Sequence, residues 1–335
     1  MSDFPSALSD AVGGTPLAPL TRLFPRPDVR VLAKLETRNP TGSAKDRSAL
    51  GMVRDAWERG RLSPGSVVVE SSSGNLAMAM ARLGALLGFE FHCVVDPRAN
   101  TRTVAAIEAY GAHVHRVTEP DPDTGDFLVA RLALVRRLLD ELPGAMSLDQ
   151  YSNTAAIAAH AEGTMREIVE AIGAPERLYV ATSTTGTIGG CLRLVRDEGL
   201  GTQVVAVDAE GSVLFGGTRG RRILSGYGAG FVPALAAHAQ PARVARIDDL
   251  TAVLAARALV RREGLLVGAS TGAVMAAALS EYASLPAGST VVVMVHDGGM
   301  PYLDTVYDDD WVCRTFEFTP EQLERGVAGW TGGGA

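Results

Sequence analysis

The sequence predicts an α/β protein of two domains, each a largely parallel twisted sheet covered by helices. Three observations carry that reading. Short runs rich in valine and other apolar residues alternate with alanine-rich stretches through most of the 335 residues. Those runs are continuously apolar, the pattern of strands covered on both faces. Several of the junctions that follow them are rich in Gly, Ser, Thr or Asn, and open α/β sheets collect ligands at such junctions.

In chain order, "VVVE" (67–70) leads into a helix from about Leu76, and "FHCVVD" (91–96) into one from about Thr101. "HVHRV" (113–117) precedes the helical stretch "FLVARLALVRRLLDEL" across an exposed turn, "TEPDPDTGD" (118–126). "LYVA" (178–181), "QVVAVDA" (203–209) and "TVVVMV" (290–295) continue the alternation. A seam is expected near "LDQYSN" (148–153). It divides a smaller, mobile N-terminal domain over 36–150 from a larger one over 12–35 and 151–325, with a cleft between them. A glycine-rich flexible tail follows over 326–335, where no apolar side chains offset the cost of ordering.

An apolar share of 47% is ample for a buried core. The net charge of −7 and pI near 5.5 argue against nucleic acid or an anionic membrane surface as partner, since both need a concentrated basic face. "MSDFPSALSDAVGG" lacks the pattern of a signal peptide, and no apolar run approaches the ~20 residues of a membrane span, so a cytoplasmic location is expected. Cys93, Cys191 and Cys313 are widely spaced and read as unpaired thiols, and no metal site is expected.

The chain has 31 basic residues, yet lysine occurs only at Lys34 and Lys45. A lysine amine can deprotonate and condense with a carbonyl, which a guanidinium cannot do. Lys34 lies in the run "VRVLAKLE", where a solvent-facing strand position accounts for it. Lys45 lies in the turn-rich "NPTGSAKDR" before a helix, where alternation accounts for nothing.

Four junctions stand out: "NPTGSAKDR" (39–47), "ESSSGN" (70–75), "STTGT" (183–187) and "GASTGA" (268–273). Each alone reads as an ordinary helix N-cap; together, beside one unexplained lysine, they point to bound anions. "STTGT" offers backbone N–H groups and hydroxyls to a phosphate but lacks the lysine of a Walker A loop, and no G-x-G-x-x-G is present. Pyridoxal phosphate joins a phosphate to an aldehyde that needs one lysine. "GASTG" also matches the nucleophile elbow G-x-S-x-G, but only His296 follows Ser270, and Glu281 is the sole acid between them.

These residues resemble the β-family, or fold-type II, pyridoxal-phosphate enzymes that include cysteine synthase and cystathionine β-synthase and share the tryptophan synthase β-like fold. The resemblance runs from "VGGTPLAPL" through "NPTGSAKDR", "SSGN", "QYSN" and "EGLLVGASTGA" to "YLDTVY". "CVVDP", "STTGT", "VDAEGSVLFGG" and "YLDTVYDDDW" are similar to the branch that makes N-(2-amino-2-carboxyethyl)-L-glutamate from O-phospho-L-serine and L-glutamate. That product is a precursor of 2,3-diaminopropionate in siderophore and peptide-antibiotic pathways.

The resemblance implies that Lys45 carries the cofactor as a Schiff base and moves the substrate Cα proton, and that the reaction passes through an aminoacrylate. It implies that Asn75 bonds the cofactor's phenolic oxygen, that Ser183, Thr184, Thr185, Gly186 and Thr187 bind its phosphate, and that Ser270 faces the ring nitrogen. Ser71, Ser72, Ser73 and Gly74 would grip the substrate carboxylate with Gln150, while Arg131 and Tyr151 match positions near the substrate. Read without the resemblance, Arg131 is a surface arginine on an amphipathic helix. The resemblance further implies a homodimer. Two other readings stand beside this one: a cysteine synthase that uses O-acetylserine or O-phosphoserine with sulfide, and a catalytically silent homologue. The chain also departs from cysteine synthase, with Leu76 after "SSGN", extra hydroxyls at 183–185, and no arginine before Tyr302 in "HDGGMPYL".

Overall fold

The computed structural model describes Phe4, Pro5 and residues 10–330. The chain forms two compact units, Met1–Gly13 with Asn39–Ala159, and Gly14–Arg38 with His160–Ala335. Residues 331–335 of the expected tail lie outside the described residues, and residues 326–328 close a helix in which Val327 is buried.

The first unit is built on three parallel strands, β3 (Val67–Ser71), β4 (Glu90–Val95) and β5 (His113–Arg116), in that order. Helices α1 (Lys45–Glu58), α2 (Asn75–Leu87) and α3 (Thr101–Ala109) cover one face. They pack Met52, Val53, Leu83 and Ile107 on Val68, Phe91 and Cys93. The other face, with Val69 and Val94, meets Val135 and Leu138 of α4 (Phe127–Glu141). The alternate residues of one strand thus enter two cores, which is why these strands read as unbroken apolar runs. A short helix, α5 (Ala155–Ala159), packs on α1, where Gly51 leaves no room for a Cβ against Ala155 and Ala159.

In the second unit six strands run in the order β1-β2-β9-β6-β7-β8: β1 (Leu17–Pro19), β2 (Arg30–Leu35), β6 (Arg177–Ala181), β7 (Gln203–Ala209), β8 (Arg243–Ile247) and β9 (Thr290–Val295). All neighbours are parallel except β1 with β2. A π-helical turn (His160–Met165), α6 (Arg166–Ile172) and α7 (Gly186–Asp197) cover one face. Helices α8 (Asp249–Glu263) and α9 (Ala269–Tyr282) cover the other, with α10 (Asp309–Phe316) and α11 (Pro320–Ala328) beside them. The α8–α9 pair is tight, since a Cβ at Gly272 would collide with the Ala252 carbonyl.

Lys34 departs from the solvent-facing position expected of it. It is 1% exposed, and its Nζ donates to Thr15 O and Glu167 Oε2, both at 2.6 Å. The alternation in "VRVLAKLE" marks two covered faces, because Val31 and Ala33 enter one core while Leu32, on the side of Lys34, packs on Met165 and Ile168 in another. Glu167 in α6 supplies the counter-charge that a buried ammonium requires.

Candidate active site

A helix begins with about four N–H groups that lack intrahelical partners. Five helices cover theirs with a side chain: Asn100 for α3, Asp126 for α4, Asp248 for α8, Asp308 for α10 and Thr319 for α11. Helices α1, α2, α7 and α9 have no side-chain cap. These four begin at the junctions selected from the sequence, and their first turns carry Lys45, Asn75, Gly186 with Thr187, and Ser270. Helix α6 also lacks one, but it continues directly from the π-helical turn. The uncapped ends of α2, α7 and α9 leave backbone donors for anionic ligand groups, while the first N–H groups of α1 turn back to Ser43 and Ala44.

In the first unit the loop before Lys45 is closed on itself. Asn39 Nδ2 donates to Ser43 O at 3.0 Å, Gly42 turns the chain at φ 82°, and Thr41 Oγ1 donates to buried Asp46 at 2.7 Å. Lys45 N in turn donates to Ser43 Oγ at 3.2 Å. Lys45 is thereby held at the start of α1 by neighbours on both sides.

At the end of β3, Ser71 and Ser72 are buried and Ser73, Gly74 and Asn75 half-buried. The Ser71 hydroxyl is buried without a hydrogen-bond partner, an unmet polar group of the kind that marks a ligand position. Gln150 Nε2 donates to Ser71 O at 3.2 Å, so these two predicted residues do meet. Asp96 follows β4 two residues beyond Val94, the register partner of Ser71. Arg131 Nε lies 3.2 Å from Asp96 Oδ2, at that same end of the sheet. The Arg131 side chain is only 13% exposed, which removes the surface reading of it. Burial pushes the neighbouring Tyr151 phenol up, with the positive charge of Arg131 acting against the shift.

Glu70 is the positioning residue that the sequence did not reveal. Its Oε1 accepts from Leu148 N and Asp149 N at 2.7 Å and from Ser147 Oγ at 2.9 Å, fixing the segment that presents Gln150 and Tyr151. Burial pushes its carboxyl from 4.5 up to about 7 against those hydrogen bonds. Between these values the folded protein holds a proton that the unfolded chain has released. The stability from this group is therefore complete below about pH 4.5 and is lost as pH rises through 7, on the order of 3 kcal/mol. Glu70→Gln keeps an oxygen acceptor and removes the titration. Urea unfolding of that variant should show a flatter dependence than wild type between pH 5 and 8; parallel slopes would refute the assignment.

In the second unit β6 runs into Thr182–Thr185 and α7. Thr185 has φ 66°, a left-handed conformation costly for a β-branched residue and typical of functional turns. Its hydroxyl donates to Thr184 O at 2.7 Å, leaving the helix end open. Buried Thr187 meets His160 Nε2 at 3.2 Å, and His160 Nδ1 meets Thr164 Oγ1 at 2.9 Å, which ties the first turn of α7 to the π-helical turn.

Ser270, 2% exposed, donates to Asp297 Oδ1 at 3.4 Å, and Tyr302 donates to Asp297 Oδ2 at 2.6 Å. Gly226, at φ +96°, passes close to the Ser270 hydroxyl, and a Cβ at Gly268 would collide with the Asp297 carboxylate. Glu281 is engaged instead by Arg177, Arg243 and Tyr179, and His296 Nε2 accepts from Ala181 N. The Ser-acid-His arrangement of a hydrolase is therefore not built.

The first unit supplies a lysine amine and an uncapped helix end flanked by hydroxyls, and the second supplies another such helix end and a neutral hydroxyl backed by a carboxylate; these are the kinds of donor that a phosphorylated aldehyde with a ring nitrogen needs. The family model described as pyridoxal-phosphate dependent enzyme matches residues 8–297. The chain belongs to this pyridoxal-phosphate-dependent enzyme family. The relatives of this pyridoxal-phosphate enzyme include N-(2-amino-2-carboxyethyl)-L-glutamate synthase of Ralstonia nicotianae, 40% identical over 309 residues, 92% of this chain and 91% of the relative.

Two solved structures share its fold at 27% identity. O-acetylserine dependent cystathionine beta-synthase from Helicobacter pylori superposes with TM-score 0.82 over 91% of this chain and 99% of that one. O-ureido-L-serine synthase does so with TM-score 0.83 over 96% and 99%. The fold is that of the fold-type II pyridoxal-phosphate enzymes, and the chain is a member of that enzyme family. Among the described residues no helix is long and apolar enough to cross a membrane.

Proposed function

We propose that this enzyme catalyses β-replacement, joining the 2-amino-2-carboxyethyl group of O-phospho-L-serine to the α-amine of L-glutamate with release of phosphate. The reading rests chiefly on the 40% identity, spanning nearly the whole of both chains, to a synthase of N-(2-amino-2-carboxyethyl)-L-glutamate. Supply of 2,3-diaminopropionate to a siderophore or peptide antibiotic, action as a homodimer and a cytoplasmic location belong to the same proposal.

Lys45, Asn75, Ser183–Thr187 and Ser270 would hold pyridoxal phosphate. When bound, that cofactor supplies an electron-withdrawing ring that permits loss of a Cα proton and of a β-substituent. Lys45 Nζ takes the Cα proton and returns it, a role open to an amine near neutral pH and closed to a guanidinium. The uncapped end of α2 with Ser71–Gly74 and Gln150 binds the substrate carboxylate and orients Cα. Ser270 offers the ring nitrogen a neutral hydroxyl, which favours prompt departure of the β-group over a long-lived carbanion.

Arg131 and Tyr151 receive the leaving phosphate. The Arg131 guanidinium pairs with Asp96 by charge, its Nε 3.2 Å from Oδ2 and buried without a hydrogen-bond partner among the described residues, so its donors suit phosphate oxygens. Arg131→Ala should lower kcat/KM for O-phosphoserine by about 10- to 100-fold, the size of a lost charge-assisted hydrogen bond, with a smaller loss for O-acetylserine. Purified enzyme given O-phosphoserine and glutamate should release phosphate and form the glutamate adduct by mass spectrometry. If sulfide yields cysteine with a higher kcat/KM than glutamate yields adduct, the cysteine synthase reading replaces this one.

A further inference from the structure

The first unit carries a cluster of histidines that the chemistry above does not use. Glu90 opens β4, His92 lies two residues on, and His113 opens β5 as the register partner of His92. Period-two geometry puts Glu90, His92, His113 and His115 on one face of the sheet, the face that α4 covers. One ligand atom from each of Glu90, His92 and His113 lies within 4.8 Å of the other two. The His92 and His113 rings are 4.6 Å apart between centroids.

His92 carries the argument. It is 8% exposed, and its Nε2 is buried with no hydrogen-bond partner. The nearest acid oxygen, Glu90 Oε2, stands 3.8 Å away, too far for a hydrogen bond. Its other nitrogen, Nδ1, meets His115 Nε2 at 2.9 Å. If Nδ1 donates its proton to His115, the Nε2 lone pair is free and faces Glu90 and His113. A second imidazole that fixes the tautomer of the first is a recurrent arrangement around metal-bound histidine.

We propose that Glu90, His92 and His113 form a site for a divalent cation of the zinc class, with His115 holding His92 in the ligating tautomer. Two imidazoles and one carboxylate are a donor set that zinc accepts, with a water as fourth ligand. A tetrahedral ion at about 2.1 Å from each ligand needs them about 3.4 Å apart. The side chains must therefore close by roughly an ångström, and Glu90 and His113, both exposed, are free to rotate. The positive charge nearby is Arg137, which is exposed and pairs with Glu141 at 3.6 Å.

The site would cross-link β4 to β5, the strand with a neighbour on one side only. It sits at the starting ends of the strands. Glu90 is four residues, about 13 Å, along β4 from Val94, the partner of Ser71. The ion therefore acts on the stability of the sheet and not on the reacting atoms.

The test uses full-length holoenzyme stripped with a chelator and dialysed, then titrated with zinc sulfate by calorimetry and by thermal unfolding. One equivalent of zinc should bind and raise the melting temperature. His113→Ala, at an exposed position, should weaken binding by about a hundredfold or more, and His115→Ala by about tenfold to a hundredfold. Cys313→Ser, which removes the one thiol that is not buried, should leave binding unchanged. The proposal is overturned if the wild type binds no zinc at millimolar concentration, if His113→Ala binds as wild type does, or if Cys313→Ser alone abolishes binding.

Discussion

Replacing Lys45 with alanine should lower turnover by about a thousandfold or more, the scale set by loss of a positioned acid–base group. Lys45→Arg should be equally inactive, because the guanidinium keeps its proton and cannot condense with the cofactor aldehyde. That comparison separates chemistry from charge. Both variants should fold, since hydrogen bonds of Asn39, Thr41 and Asp46 shape the loop. Borohydride treatment of the wild-type holoenzyme should add the pyridoxyl mass to the peptide containing Lys45. An active Lys45→Arg enzyme, or a label on another peptide, would remove the basis of the proposed mechanism.

Glu167→Gln should destabilise the protein by about 3 kcal/mol in urea unfolding, the low end for removing one partner of a buried pair. Gln keeps one acceptor oxygen where Glu167 uses two, Oε1 for Gly14 N and Oε2 for Thr15 N and Lys34 Nζ, so the loss combines the stranded charge of Lys34 with one displaced backbone donor. Replacing both partners with apolar residues, Lys34→Met with Glu167→Leu, should recover much of the loss, because neither charge then needs compensation. A single variant within 1 kcal/mol of wild type would show that Lys34 is not buried as described.

The candidate site was legible to the degree that its residues are local in sequence. Glycine, hydroxyl and amide residues before a helix state their chemistry within five or six positions, and Lys45 stood out because arginine supplies nearly all the other positive charge. The strands at 67–71, 90–95, 177–181, 203–209 and 290–295 were visible as unbroken apolar runs. β8 was missed because "RVARI" is an edge strand with a polar rhythm, and its Arg246 turns back to Asp208 in β7. Lys34 misled for a related reason. Alternating polarity reports that one face differs from the other, and a charged residue with a partner 133 positions away looks the same as one facing water.

Composition and local pattern were enough to specify the α/β class, the four helix-start loops and the lysine proposed to carry the chemistry, since each is a property of a few consecutive residues. The burial of Lys34, the part Glu70 plays in shaping 147–150, the Asp297 carboxylate behind Ser270 and the meeting of three histidines with Glu90 depend on strand order and register. Those pairings join residues between 2 and 133 positions apart. A side chain's charge state and partners follow from what packs against it, and for these groups that was settled when the sheets assembled.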